Sequence, residues 1–272
     1  MEYLLHILNW PMEKPELYGW YHLLWLVISF GAAWILCRSF RHSRNPEAHI
    51  RKVVFFTAVL VAIFELLNQI NCNFKWIDGR VQLNMQWYAF PFQFCSTPMY
   101  IGLLTGVFRK GRIHNSLCAY LATYAVFAGV CVMLYPGDVY TGRLITNIQT
   151  MICHGSMLTI GIYLFCTGHV RIEAKSVLKA MPVFGVCMAT AMLLNEIAYR
   201  SGLLSAGNTF NMFFISPYCE PSLPVYSLVQ AVLPYPLCLA VYVSVFSFAA
   251  YLVILVSCGI SRIHKSYSNL SA

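Results

Sequence analysis

Seven stretches of this chain are apolar and long enough to cross a bilayer, at about 18–37, 53–72, 87–108, 117–135, 145–166, 177–199 and 228–258. A spanning helix needs roughly 20 mostly apolar residues to cover the hydrocarbon thickness. Inside lipid every backbone N–H and C=O must find its partner within the protein, which leaves helices as the form for such stretches. The expected fold is therefore an all-α, polytopic membrane protein of seven transmembrane helices. The gaps between stretches are short apart from 200–227, so residues 1–272 read as a single transmembrane domain.

Charge orients the bundle. Of the 18 Lys and Arg residues, 13 fall in alternate gaps: Arg38, Arg41, Arg44, Arg51 and Lys52; Arg109, Lys110 and Arg112; Arg171, Lys175 and Lys179; and Arg262 and Lys265. The other side holds Lys14, Lys75, Arg80, Arg143 and Arg200. Basic loops stay cytoplasmic, which puts the N-terminus outside and the C-terminus in the cytoplasm. An odd number of spans requires the same arrangement. The formal net charge of +8 is thus a topology signal facing anionic head groups, and no nucleic-acid partner is expected. Residues 3–10 are too short and lack the basic flank of a signal peptide, and suit an interfacial helix with Tyr3 and Trp10 at head-group depth.

The 11 Cys residues lie almost entirely in spans and form no CxxC, so they read as small apolar side chains, with no metal and no cofactor expected. Cys72 and Cys219 are the pair able to meet on the outer side. His6, His22, His42, His49, His114, His169 and His264 fall at membrane boundaries and read as interfacial.

Polar side chains inside spans are costly and face a protein interior or water. In the second span Glu65, Asn68, Gln69 and Cys72 share one helical face, and in the fifth Arg143, Asn147, Thr150 and His154 share another. Gln93, Ser96, Thr97 and Tyr100 make a face on the third, and Asn195 and Glu196 sit near the outer end of the sixth. At about 1.5 Å per residue, Glu65, Cys95 and His154 lie about 10–13 Å deep, in the outer leaflet. That predicts one polar cavity, opening outward beneath the Pro-, Phe- and Tyr-rich segment 200–227, which is expected to cap the helix ends as a lid. Pro91 and Pro98 bracket QFCST in the third span and predict a break there. Gly102 and Gly106 below them predict close helix packing.

Cys95 and His154 are candidates for a nucleophile and its base. On an unbroken helix Cys95 would stand about 160° to 200° from Gln93 and Thr97, on the glycine side, where a thiol packs and does nothing else. His154 is either functional or a hydrogen-bonded structural histidine. Glu65 is either functional or a neutral tie to Asn68 or Gln93, and Arg143 either binds a phosphate or anchors at the head groups. No GxSxG, HExxH, DHHC or HxxxxD occurs, which removes the familiar serine-esterase, zinc-protease, palmitoyltransferase and soluble-type acyltransferase signatures.

The succession FPFQFCS (90–96), YPGD (135–138), IQTMICH (148–154), the Asn195 region, GNTFNMFFISP (207–217) and LPYP (233–236) resembles the landmarks of the YwaF-type family of bacterial integral membrane proteins. The resemblance runs from about residue 60 to 245. It extends to an animal relative that remodels ether phospholipids by acyl transfer and is thought to use a membrane Cys and His in a Pro-Cys-His pattern. Aligned on Pro91, this chain has Phe92 and Gln93 at those two places, with Cys95 about one turn further on.

The resemblance and the residues together imply a membrane-embedded enzyme of lipid acyl transfer or acyl hydrolysis, in the plasma membrane if the source is bacterial. Cys95 would be the nucleophile and His154 the base. Gln93, Asn147 or Asn195 would stabilise the oxyanion, Glu65 and Asn68 would line the substrate cavity, and Arg143 would meet the head group of a membrane phospholipid. The alternative is a non-enzymatic membrane protein that binds or transports a small ligand through Glu65 and His154.

Overall fold

The computed structural model describes residues 2–220 and 224–270. After a short helix α1 (Glu2–Leu8), the long helices are α2 (Trp20–Arg41), α3 (Pro46–Asn73), α7 (Leu144–Cys166), α8 (Ala174–Arg200) and α10 (Tyr235–Leu270). Between α3 and α7 lie the shorter α4 (Thr97–Val107), α5 (Gly111–Ala122) and α6 (Tyr124–Leu134), and α9 (Pro224–Gln230) precedes α10. Among the described residues six apolar helical segments are long enough to cross a membrane: α2, α3, α5 with α6, α7, α8, and α10 as far as Arg262. A seventh, Phe94–Val107, is apolar but shorter.

The interior is built on the middle of the chain. Of the α5–α6 span 72% is buried inside the protein, and of α7 67%, against 28% or less for the others. Helix α7 is accordingly the axis, packed on α2, α3, α5 and α6. Small residues allow the close approaches: a Cβ on Gly129 of α6 would stand 2.9 Å from the His154 carbonyl oxygen of α7. The outer helices turn large apolar side chains such as Val27, Leu66, Val186 and Phe248 outward, as lipid contact requires.

The third stretch departs from a regular span. Residues 87–96 hold only two single-turn 3-10 segments, and the α-helix begins at Thr97 with Pro98 in its first turn. Proline at that place lacks an N–H that the helix does not use. The two prolines therefore leave an irregular upper half and a helical lower half. This segment runs antiparallel to α3 throughout, since Gln69 meets Ala89, while Gly102 faces Ala58 and Gly106 faces Phe55.

Two further breaks subdivide expected helices. Thr123 (φ −122, ψ −78) separates α5 from α6 and donates its hydroxyl back to the Ala119 carbonyl at 2.7 Å. The stretch expected at 228–258 is divided between α9 and α10, with Pro234 at the break. A β-hairpin, β1 (Phe74–Ile77) and β2 (Arg80–Leu83), projects from the end of α3. Its two-residue turn, Asp78-Gly79, has φ of 51° and 71°, the type I′ geometry that Asp-Gly favours. Cys72 and Cys219 are not joined. Cys72 donates to Asn68 and Cys219 to the Phe210 carbonyl.

Candidate functional site

Of the expected site residues, Gln93 and Cys95 lie in the broken third segment and Glu65 is tied to it through Gln69 and Ala89, whereas Asn147 and Arg143 lie against the N-terminal segment at Met12 and Pro11; most of their polar atoms are already engaged. A chain of amides runs along α3. The Asn73 side chain donates to Gln69 Oε1 at 2.9 Å, and Gln69 Nε2 donates both to the Ala89 carbonyl (2.6 Å) and to Glu65 Oε1 (2.8 Å). The second Glu65 oxygen accepts from Gln149 Nε2 of α7 at 2.6 Å. One turn above, Asn68 Oδ1 accepts from Thr146 of α7 at 2.9 Å. Glu65 thus ties α3 to α7 and, through Gln69, to the irregular segment.

The three other amides expected at the site each hold a loop by its backbone. Asn195 donates to the Met212 carbonyl at 3.0 Å and accepts from the Met212 N–H at 2.8 Å. Gln93 donates to the Asn211 carbonyl and accepts from the Phe213 N–H, both at 2.9 Å. Asn147 does the same for Thr141, accepting from its N–H at 2.9 Å and donating to its carbonyl at 2.8 Å. A buried backbone group without a partner costs about 1–3 kcal/mol, so these brackets allow loop backbone to enter the protein interior.

The loop after α8 is consequently inserted. Phe210, Met212, Phe213 and Ile215 are all buried, and Phe213 packs against Phe92, Phe94 and Phe184. Tyr242 and Tyr235 donate to the Phe213 and Ile215 carbonyls at 3.0 Å. Phe213 and Phe214 both have positive φ, 59° and 58°, a costly region for bulky side chains that is held only where the surroundings impose it. The expected lid is thus a plug seated among the helices. At its rim Tyr218 stacks on Tyr199 and donates to the Glu196 carboxylate, which holds the Tyr218 phenol above its ordinary value. Pro221, in the same loop, lies outside the described residues.

Cys95 lies in the turn immediately before α4 and is half-buried. Its carbonyl accepts from the Cys153 thiol of α7 at 3.4 Å. His154 is the next residue, and its ring turns back along α7 to donate from Nδ1 to the Thr150 carbonyl at 2.8 Å. That bond fixes the tautomer and leaves Nε2 as the acceptor. No hydrogen bond joins Cys95, His154, Glu65 and Gln93 to one another among the described residues. The side chain of Arg143, ahead of α7, is exposed, and its backbone pairs with Pro11.

A small void and an apolar cleft adjoin the broken segment. Beneath it a void of about 30 Å³, room for a single water, is lined by Ala58, Pro98, Gly102, Cys153 and Met157. Above it an apolar cleft of about 480 Å³ lies between Trp87, Phe90, Leu194, Leu203 and Phe210. The polar side chains expected to line an outward cavity therefore bind one another and the loops, and the cleft at that end is apolar. The sequence marked these amides as candidates but carried no signal of what they hold, because their partners are backbone groups, which residue identity does not mark, and for Gln93 they lie 118 and 120 residues away.

Apolar spanning helices around a broken segment, with intramembrane amides closing the interior, define a multi-pass integral membrane protein. The chain belongs to the TMEM164 family, whose model matches residues 17–256. No curated protein and no solved structure matches it.

Proposed function

We propose that this protein is a lipid acyl-transfer or acyl-hydrolysis enzyme, with Cys95 as nucleophile and His154 as base. The observation that carries the reading is the position of Cys95 in a 3-10 turn directly ahead of the α4 N-terminus, in the same irregular segment whose Trp87 and Phe90 border the apolar cleft. The positive end of a helix dipole favours a thiolate and an oxyanion beside it. The cleft is within the size range of small-molecule sites and suits an acyl chain. The His154 tautomer presents an Nε2 lone pair, and Cys153 brings α7 against the Cys95 backbone.

In this reading the Cys95 thiol gives its proton to His154 and attacks the acyl ester carbonyl. The leaving alcohol takes that proton, and water or a lysophospholipid hydroxyl then releases the thioester. Gln93, Asn147 and Asn195 act as positioning residues through the loops they hold. Glu65 and Asn68 fix α3 against α7, and Arg143 meets the phosphate of the surrounding phospholipid. The topology that goes with this function has seven crossings, the N-terminus outside and the C-terminus cytoplasmic, so that the plug and cleft face outward.

The test is transfer of a labelled acyl chain between phospholipid and lysophospholipid by protein in nanodiscs. Cys95→Ser and His154→Gln should each lower turnover at least about 100-fold with unchanged melting, and Cys95→Ser should accumulate no thioester. Full turnover in Cys95→Ser would remove the thiol mechanism. The second reading, non-enzymatic ligand binding or transport, draws on the complete Asn73–Gln69–Glu65–Gln149 chain, a half-buried polar path from the end of α3 to α7. Saturable binding or uptake that requires Glu65, with no acyl turnover in the wild type, would favour it.

A further inference from the structure

At the end of the bundle that carries the basic loops, three side chains from two distant parts of the chain come together. His114 and Cys118 are one turn apart on the same face of α5, and both are buried. His169 comes from the turn between α7 and α8. That turn is fixed by Gly168 at φ 70° and by a bond from the Val170 N–H to the Leu164 carbonyl at 3.2 Å. The potential ligand atoms of the three residues lie within 4.8 Å of one another.

We propose that His114, Cys118 and His169 form a binding site for a divalent cation of the Zn²⁺ class. Three independent features support it. First, His114 Nε2 stands 3.5 Å from Cys118 Sγ, and an imidazole nitrogen and a thiolate bound to one tetrahedral zinc stand about 3.5 Å apart. Second, His114 Nδ1 donates to the Phe108 carbonyl at 2.8 Å. This is the outer hydrogen bond that orients metal-bound histidines and leaves Nε2 free to ligate. Third, His169 Nε2 is buried and has no hydrogen-bond partner among the described residues, although its ring meets that of His114 edge-on at 5.4 Å. An acceptor or donor enclosed without a partner calls for a ligand.

On binding, the Cys118 thiol loses its proton to solvent, the thiolate and the two neutral imidazoles donate their lone pairs, and no electron is transferred. Three protein ligands leave the fourth position to water or an external group. The ion would tie the end of α4, the start of α5 and the α7–α8 turn together. The site lies at the far end of α4 from Cys95 and stands apart from the acyl-transfer reading. A His-x-x-x-Cys pair on one helix is a ligand spacing that a search for CxxC passes over.

The experiment uses the full chain in nanodiscs, stripped with a chelator and titrated with Co²⁺, then competed with Zn²⁺. One equivalent of Co²⁺ should bind, with tetrahedral d–d absorption and a thiolate-to-cobalt charge-transfer band that Zn²⁺ bleaches. Cys118→Ser should abolish the charge-transfer band, and His169→Gln should weaken Co²⁺ binding at least about tenfold. No band, a band that persists in Cys118→Ser, or wild-type affinity in His169→Gln would each overturn the site. If Cys118→Ser does not fold, His169→Gln decides the matter, because it changes a turn and not the interior of a helix.

Discussion

At the residue scale, buried amides at helix ends do the work of backbone. Asn195 and Asn147 each pair with both polar groups of one loop residue, as a neighbouring strand would, and Gln93 spans two residues with its own two atoms. Replacing such a side chain by an isostere without polar atoms leaves two enclosed groups unpaired. Asn195→Leu should therefore lower stability by about 2 kcal/mol or more, seen as a lower melting temperature in detergent. Gln93→Leu should do likewise, and because both hold the same loop the double variant should cost less than the sum of the singles, by about 0.5 kcal/mol or more. Strict additivity would show that the two amides do not act on one plug. Gln149 was missed as a partner of Glu65 because helical phase sets it beside His154's neighbour Cys153, on a face that the sequence reading did not treat as polar.

At the element scale, small residues set how closely helices approach. A Cβ on Gly102 would stand 2.7 Å from the Ala58 Cβ, and on Gly106 2.5 Å from the Phe55 ring. Gly102→Ala should destabilise the α3–α4 contact by about 1–3 kcal/mol, and Ala58→Gly in the same chain should restore most of the loss. Thermal unfolding of the single and double variants checks this, and failure of the second change to help would mean that the helices part in another way. The hairpin offers a milder case, since Gly79→Ala at φ 71° should cost about 1 kcal/mol. Elements with a strong local signature were legible: the apolar stretches, the Gly102–Gly106 contact and the Pro91–Pro98 break. Asp78-Gly79 carried an equally strong turn signal, but within a short polar gap between spans no strand was sought. The interruption at Thr123 has no proline or glycine to announce it. The amide of Asn71 is buried with neither atom bonded among the described residues.

At the scale of the whole molecule, the proposed topology rests on charge and on the antiparallel course of residues 87–107 beside α3. Tags inserted at 110–112 and after the last residue should be accessible only from the cytoplasm, and a tag at Asp78-Gly79 only from outside. Accessibility of all three from one side would reject the seven-crossing arrangement. The polar groups by contrast were legible as positions and not as contacts, because their partners lie more than 100 residues away for Gln93 and about 80 for Glu65. That separation also has a consequence in time. Gln93 is synthesised 118 residues before Asn211, which at about 5–20 residues per second is roughly 6 to 24 s. Throughout that interval the nascent protein holds an amide in the membrane whose intended partners do not yet exist, and the plug is among the last pieces to arrive. The plug arrives ahead of α10, whose Tyr235 and Tyr242 then bind it, and a chain stalled before residue 211 has every helix from α1 to α8 yet lacks the piece that satisfies Gln93 and Asn195.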